Sequence, residues 1–427
     1  MGQYKLQSSV CAWDVERMER DYCTMDDFEL DGKTVLLRAE FNSPIGPDGK
    51  ILDDKRIRES APTIKELEDS KVVILAHQSR PGKKDFTTME EHARLLQRYI
   101  KQNVRYVDDI FGSHAKTAIV EAEAGEVVML ENVRFYSEEV LELAPHEAAK
   151  AIMVKKLAPF AQVFLNDAFG ASHRSQCSLV GFTPVLPSGA GRLMQKEIDS
   201  LTEALKGGGE VVYVLGGAKV DDSISVIRNV LEKKIATRVL VTGVVASVFL
   251  AARGLDIGKP NMGFLDKSGL SGEIPRAKEL LRQFGEMIAM PCDVAVNKDG
   301  KRVEVNVKQL PTDYLISDIG HETIASFSDI IRHADKVILN GPAGIFESQE
   351  FATGTRDILM AATKARFSVV GGGHSAAAVE EMGIGDKITH LSTGGGAAID
   401  FLGGKPMPAI EALKAAKKRM MGPVGVI

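Results

Sequence analysis

Arginines and histidines follow short apolar runs in the first half of this chain, at places where ligands commonly sit. Arg38 closes "TVLLR" (34–38), with Glu40 and Asn42 just beyond it. His77 and Arg80 follow "VVILAH" (72–77), Arg134 closes "EVVMLENVR" (126–134), and His173 with Arg174 follow "QVFLNDAF" (162–169). Arg56 and Arg58 lie at a helix start after the first loop. Any one of these arginines reads as an ordinary solvated residue. Several on one rim make a basin for a small, multiply charged anion, because the guanidinium fork matches carboxylate and phosphate oxygens in pairs.

In the second half the same positions hold glycines: Gly216-Gly217, Gly243, Gly341, Gly371 to Gly373, and Gly394 to Gly396. Glycine turns can expose backbone N–H groups to phosphates and leave room for a flat base. Lys219, in "GGAKVDD", is the lysine that such a turn places on this rim. The pattern is plainest in "SVVGGGHSAAAVE" (368–380), where a strand end meets three glycines and then a helix from Ser375. Three glycines are entropically costly. A phosphate at the helix start would account for them; a tight strand-to-helix turn with no ligand is the other reading. A small anion facing a nucleotide across a hinge is the layout of a kinase.

The elements that must position these residues alternate from residue 34 almost to the end. Apolar runs at 34–38, 72–77, 126–134 and 162–169, then at 210–217, 238–243, 336–342, 368–373 and 388–396, read as strands. Helix-like stretches at 58–70, 89–103 and 225–236 lie between them. Continuous apolar strands alternating with helices predict parallel sheets buried on both faces. The fold class is therefore α/β, with two Rossmann-like three-layer (αβα) domains joined by a hinge and a connecting helix. We divide the chain into an unassigned extension (1–25) holding the only Trp, an anion-binding domain (26–188), the hinge and helix (189–205), a nucleotide-binding domain (206–404), and a C-terminal segment (405–427). That last segment, a basic helix and an apolar strip, is expected to dock back on the first domain rather than on a membrane. "PCDVAVNKDGKRVEVNV" (291–307), with its Asp-Gly turn, predicts a local antiparallel excursion.

Bulk properties narrow the class. A chain of 427 residues suits two domains. A formal net charge of −5 argues against a general nucleic-acid binder. No apolar stretch suits a membrane span, and the start lacks both a signal-peptide core and the myristoylation pattern, since Leu6 stands where Ser or Thr is needed. Cys11, Cys23, Cys177 and Cys292 form no CxxC pair, which suits reduced cytosolic thiols better than disulfides or zinc. A cytoplasmic location is expected, with neither nucleic acid nor membrane as partner, and a monomer.

Three motif tests follow. The Walker A pattern fails at "DGKT" (31–34), because residue 27 is Asp where the first glycine belongs. His173-Arg174 is followed by Ser175, so the HRD catalytic loop of protein kinases is absent. GxGxxA does match Gly371, Gly373 and Ala376, but the next strand ends in Thr393 and more glycines rather than the acidic residue a dinucleotide ribose needs. An NAD-dependent dehydrogenase is thereby a weak alternative.

Eight segments in order resemble the phosphoglycerate kinase family over residues 28–410. They are "RAEFNSP" (38–44), "HQSRPG" (77–82), "LENVRF" (130–135), "NDAFGASHR" (166–174), "LGGAKVDDSI" (215–224), "NGPAGIFE" (340–347), "VVGGGHSA" (369–376) and "STGGGA" (392–397). "HQSRPG" and "GGAKVDDS" look most like the archaeal branch. The resemblance implies reversible phosphoryl transfer between 1,3-bisphosphoglycerate and ADP, giving 3-phosphoglycerate and ATP, with Mg²⁺ carried by the nucleotide. It implies that Arg38, Glu40, Asn42, Arg56, His77, Arg80, Arg134 and Arg174 hold 3-phosphoglycerate, Arg56 reaching the transferred group. It further implies that Gly216, Gly217, Lys219, Ser223, Gly243, Asn340, Pro342, Glu347, Gly371, Gly372, Gly373, His374 and Ser375 hold the nucleotide, Glu347 on the ribose. Arg56, Lys219, Gly372 and Gly373 would be catalytic, and domain closure about the hinge would shut out water. No residue is implied as a certain metal ligand.

Three positions depart from the commonest family pattern. Glu40 stands for Asp, Ser223 for a second lysine, and His374 for an Asp that sits by the nucleotide-bound Mg²⁺ in many members. A neutral imidazole is a poor Mg²⁺ ligand, and would suit a phosphate instead. These departures keep open a nucleotide- and anion-binding relative that is catalytically weak.

Overall fold

The computed structural model describes residues 20–422, which divide into two units, 20–195 with 408–422 and 196–407. In the first unit six strands form one parallel sheet: β1 (Thr34–Arg38), β2 (Lys71–Leu75), β3 (Asn103–Val107), β4 (Glu126–Leu130), β5 (Val163–Asn166) and β6 (Ser188–Ala190). Their spatial order is β3-β4-β2-β1-β5-β6. β1 pairs in register with β2 on one side, Arg38 opposite Leu75, and with β5 on the other, Arg38 opposite Asn166.

The apolar runs are continuous because both faces are covered. Leu36, Val73, Leu75, Val128 and Phe164 belong to one core, and their strand neighbours Leu37, Val72, Ile74, Val127 and Leu165 to the other. Sequence direction reverses at β1 and β5, so the carboxyl ends of these strands flank the crevice where open α/β sheets bind ligands.

The second unit repeats the plan. Its parallel strands are β7 (Val211–Leu215), β8 (Arg238–Val241), β9 (Ile288–Ala289), β13 (Lys336–Asn340), β14 (Phe367–Gly371) and β15 (His390–Leu391), ordered β15-β14-β13-β7-β8-β9. The switch falls between β7 and β13. The antiparallel excursion is a three-stranded sheet in which β10 (Asp293–Lys298) lies between β11 (Lys301–Asn306) and β12 (Leu315–Ile319).

Several elements differ from expectation. β3, "NVRYV", has no counterpart among the expected strands, and only Asn103 falls in the helix-like stretch 89–103; as an edge strand it keeps one face wet and lacks a continuous apolar run. Gly189 and Ala190, read as the start of a hinge, end the strand β6 beside β5, and the helix Arg192–Ala204 follows directly. Gly243, expected at a strand end, starts the helix Gly243–Ala252. The helix Pro408–Met421 buries Ala409, Ile410, Ala412, Leu413 and Ala416. Ala409 N donates to Ser172 O at 3.1 Å and Lys414 pairs with Asp21 at 3.0 Å, all within the first unit. The only Trp and the final apolar strip lie outside the described residues. Among those described, no helix is long and apolar enough to cross a membrane.

Candidate active site

Arg38 at the end of β1 is fully buried, so its charge must be met inside the protein. Its Nε donates to Ser178 Oγ at 2.8 Å, and Ser178 Oγ donates to Glu139 Oε1 at 2.5 Å. Glu139 is fully buried as well, and its Oε2 accepts from Ser178 N at 2.9 Å. Arg38 Nη2 lies 2.9 Å from His77 Nδ1. A guanidinium only donates, so Nδ1 is the acceptor and the ring proton sits on Nε2. Burial, then Arg38, Arg134, Arg174 and Arg56, hold the His77 pKa well below that of an ordinary histidine. His77 is thus a neutral donor among cations.

Arg134 lies in a short 3-10 turn, Val133–Phe135, past the end of β4. It donates to Ser79 O and, at 3.4 Å, to Gln176 Oε1. Burial and then Arg174 and Arg38 push its pKa down to about 10. Arg56 Nη1 donates to Glu40 Oε1 at 2.9 Å and Asn42 O at 2.8 Å, while Glu40 Oε2 is buried without a partner. Asn42 Oδ1 accepts from Ser79 N at 2.7 Å. Arg38, His77, Arg134, Arg174 and Arg56 therefore share one electrostatic neighbourhood, whose mutual repulsion an anion would relieve. Arg80 is not in it: its side chain is exposed on the loop after Ser79, and Arg58 is exposed as well. Ser178, Glu139 and Gln176, which anchor the cluster, carry no signal in the sequence because their partners lie 140, 39 and 42 residues away.

In the second unit the turns after β7 and β13 are stitched together. Gly216 N donates to Asn340 O at 2.9 Å, Gly217 N to Pro342 O at 2.8 Å, and Gly243 N to Ala343 O at 3.1 Å. These N–H groups are consumed by the fold, which corrects the expectation that they face a phosphate. The glycines serve close approach instead. A Cβ on Gly216 would fall 2.4 Å from Pro342 O, and one on Gly341 (φ +86°) 2.3 Å from Gly216 O.

Two cavities adjoin these turns. One of about 260 Å³ is mostly apolar, lined by Gly217, Gly243, Leu250, Phe264, Val294, Pro342, Glu347 and His374. The other, about 360 Å³, is lined by Gly216, Lys219, Asn340, Gly341, Gly372, Gly373, His374 and Gly395. The helix Gly373–Glu381 opens onto it, and the first-turn N–H groups of Gly373, His374 and Ser375 have no intrahelical acceptor. Those of Gly373 and His374, which line the cavity, are free where the N–H groups of Gly216 and Gly217 are not. Lys219, at the N-cap of the helix Val220–Glu232, is exposed at the cavity edge. His374 lines both cavities, its ring 6.0 Å from that of Phe346. Ser223 lines neither: it is buried, and its hydroxyl donates back to Lys219 O at 2.9 Å. Gly371 and Ser375 do not line either cavity; Gly371 ends β14 and the Ser375 hydroxyl is buried without a partner.

Comparison with known proteins matches this arrangement to one family. The phosphoglycerate kinase family model matches residues 25–405. The chain is 56% identical over 399 residues to phosphoglycerate kinase of Methanosarcina mazei, covering 93% of this chain and 96% of that one. It is 49% identical to that of Archaeoglobus fulgidus over 391 residues, covering 92% and 96%. The crystal structure of phosphoglycerate kinase from Pyrococcus horikoshii superposes with a TM-score of 0.87 at 43% identity, over 93% of this chain and all of that one. That of Coxiella burnetii gives 0.77 at 30% identity, over 92% and 99%. With both cavity-lining glycine turns and the arginine cluster inside the matched span, the chain belongs to the phosphoglycerate kinase family.

Proposed function

We infer that this chain catalyses reversible phosphoryl transfer between 1,3-bisphosphoglycerate and ADP, forming 3-phosphoglycerate and ATP. The observation that carries the reading is the family match over residues 25–405, which includes a buried arginine cluster in one unit and a glycine-lined cavity pair in the other. The weakly catalytic alternative finds no support in relatives that are named phosphoglycerate kinases at 49–56% identity.

Arg38, His77, Arg134 and Arg174 bind the anionic 3-phosphoglycerate, with Asn42, Arg56 and Glu40 beside them. The neutral His77 contributes its Nε2 proton, and Arg80 joins from its exposed loop. On the nucleotide side the apolar cavity takes the base, Glu347 the ribose hydroxyls, and Lys219 with the N–H groups of Gly373, His374 and Ser375 the phosphates. The acceptor is a carboxylate, ionised at neutral pH, so no general base is required. Positive charge around the migrating phosphoryl and exclusion of water supply the catalysis. Lys219 lends charge on the nucleotide side and Arg56 on the acceptor side.

Mg²⁺ arrives as part of the nucleotide substrate. Among the described residues no group of three or more His, Cys, Asp and Glu side chains could hold a metal. His374 offers only nitrogen to an ion that prefers oxygen. Phosphate oxygens and water are thus its natural ligands.

The test is a coupled assay with Mg²⁺ and ATP, reading 1,3-bisphosphoglycerate through its reduction with NADH consumption. Turnover that depends on 3-phosphoglycerate is expected. ATP cleavage indifferent to 3-phosphoglycerate would overturn the reading.

A further inference from the structure

Asp318 on β12 is 2% exposed and lines the apolar cavity. Its Oδ2 accepts from Arg302 Nη1 at 2.7 Å and from Gly354 N at 2.8 Å. Arg302, on β11, is mostly buried too. It donates Nε to Glu304 Oε1 at 2.6 Å and Nη2 to Ile319 O at 2.7 Å, and its Nη1 lies 3.5 Å from Glu350 O. The pair therefore grips the segment 344–354, which carries Glu347 into the cavity lining, at its middle and far end. At the near end Ile345 N donates to Ser317 O at 2.9 Å, one residue before Asp318.

Two glycines are shaped to this carboxylate. A Cβ on Gly344 would fall 2.5 Å from Asp318 Oδ1, and one on Gly354 2.2 Å from it. Only a chain bare of side chains at both points can wrap the carboxylate so closely. Burial pushes the Asp318 carboxyl above the usual carboxylate range, against the pull of Arg302 and Gly354 N. A buried ion pair is a poor source of stability compared with apolar packing of the same volume. Its geometry suits registration instead, since the pair reaches the segment at Glu350 O and Gly354 N, with Ile345 N held beside it by Ser317 O.

We propose that the Arg302–Asp318 pair is a positioning device that sets Glu347 against the ribose and so governs discrimination for the ribose hydroxyls of the nucleotide. This rests on the assignment of Glu347 to the ribose made above.

The experiment compares kcat/KM for ATP with that for 2′-deoxy-ATP and 3′-deoxy-ATP in the wild-type enzyme and in Glu347→Gln, Arg302→Met, Arg302→Lys and Asp318→Asn. The wild-type preference for ATP should be tenfold or more, the worth of one hydrogen bond to a charged group. Glu347→Gln should collapse it. Arg302→Met and Asp318→Asn should collapse it likewise, with KM for 3-phosphoglycerate unchanged, and Arg302→Lys should restore part of it. Lower kcat with an intact ribose preference in the Arg302 and Asp318 variants would overturn the proposal and leave Glu347 on the ribose. An unchanged preference in Glu347→Gln would overturn both assignments. Should Arg302→Met fail to fold, the near-isosteric Asp318→Asn carries the same test.

Discussion

Glu139→Gln isolates what holds the arginine cluster together. In the native protein Glu139 takes Ser178 N at 2.9 Å and Cys177 Sγ at 3.1 Å on Oε2, and Ser178 Oγ at 2.5 Å on Oε1. Glutamine has one acceptor oxygen, so its NH₂ group must face donors on one side. Seating the oxygen toward Ser178 N leaves Ser178 Oγ, which also accepts from Arg38 Nε at 2.8 Å, against an N–H. Seating it the other way orphans a buried backbone N–H, worth about 1–3 kcal/mol. Either way the buried Arg38 loses the larger of its two nearby counter-charges, Glu139 ahead of Glu40, and stripping a buried charge of its partner costs about 3–5 kcal/mol. We expect a loss of about 3–5 kcal/mol in urea unfolding of the first unit at pH 7. Saturating 3-phosphoglycerate should recover more stability in the variant than in the wild type, because the bound anion replaces the lost charge. Glu121→Gln, which touches an exposed pair with Arg105, is the control and should shift stability by no more than about 0.5 kcal/mol. A Glu139→Gln loss below about 1 kcal/mol would refute the coupling of Glu139 to the cluster.

Asp167, fully buried after β5, accepts from Thr63 Oγ1 at 2.7 Å and Met194 N at 3.0 Å, and burial raises its pKa from 3.8 to about 6. The native state holds the extra proton, so its stabilising effect is complete below the unfolded pKa and is lost as pH rises through about 6. Asp167→Asn should flatten the stability profile between about pH 4 and 6 and add up to about 3 kcal/mol at pH 7.5; an unchanged slope would contradict the assignment. Lys219→Ala should lower kcat far more than it raises KM for 3-phosphoglycerate, and normal turnover would remove Lys219 from the transition state. Gly341→Ala, forced against Gly216 O at a φ of +86°, should weaken nucleotide binding at least tenfold in calorimetry while 3-phosphoglycerate binding is kept; equal losses for both ligands would contradict a local effect.

Much of the fold was legible because its central strands are buried on both faces and read as unbroken apolar runs, as "VVILAH" and "EVVYVLGG" do. What was missed lies at edges and short pieces. β3 alternates with solvent, β6 is three small residues, and β9 has two residues. At the site, residue type and strand position were enough to single out Arg38, His77, Arg134 and Arg174. The anchors Glu139 and Ser178 were not legible, since their link to Arg38 exists only after the chain closes over 140 residues. Nor could sequence distinguish glycines that offer an N–H from those that spend it. Gly217 and Gly373 look alike as letters, but Gly217 N is bonded to Pro342 O while Gly373 opens a helix.

Which of these amides faces the phosphates decides how the nucleotide is held. Backbone hydrogen exchange of the intact enzyme, with Mg²⁺ and ATP alone and with 3-phosphoglycerate alone, tests it directly. ATP should slow exchange at Gly373, His374 and Ser375 more than at Gly216 and Gly217, whose amides are already bonded. 3-Phosphoglycerate should leave those amides unchanged and slow exchange around Asn42 and Arg80. Protection by ATP confined to Gly216 and Gly217, or protection of Gly373 to Ser375 by 3-phosphoglycerate alone, would contradict the division of the two ligands between these sites.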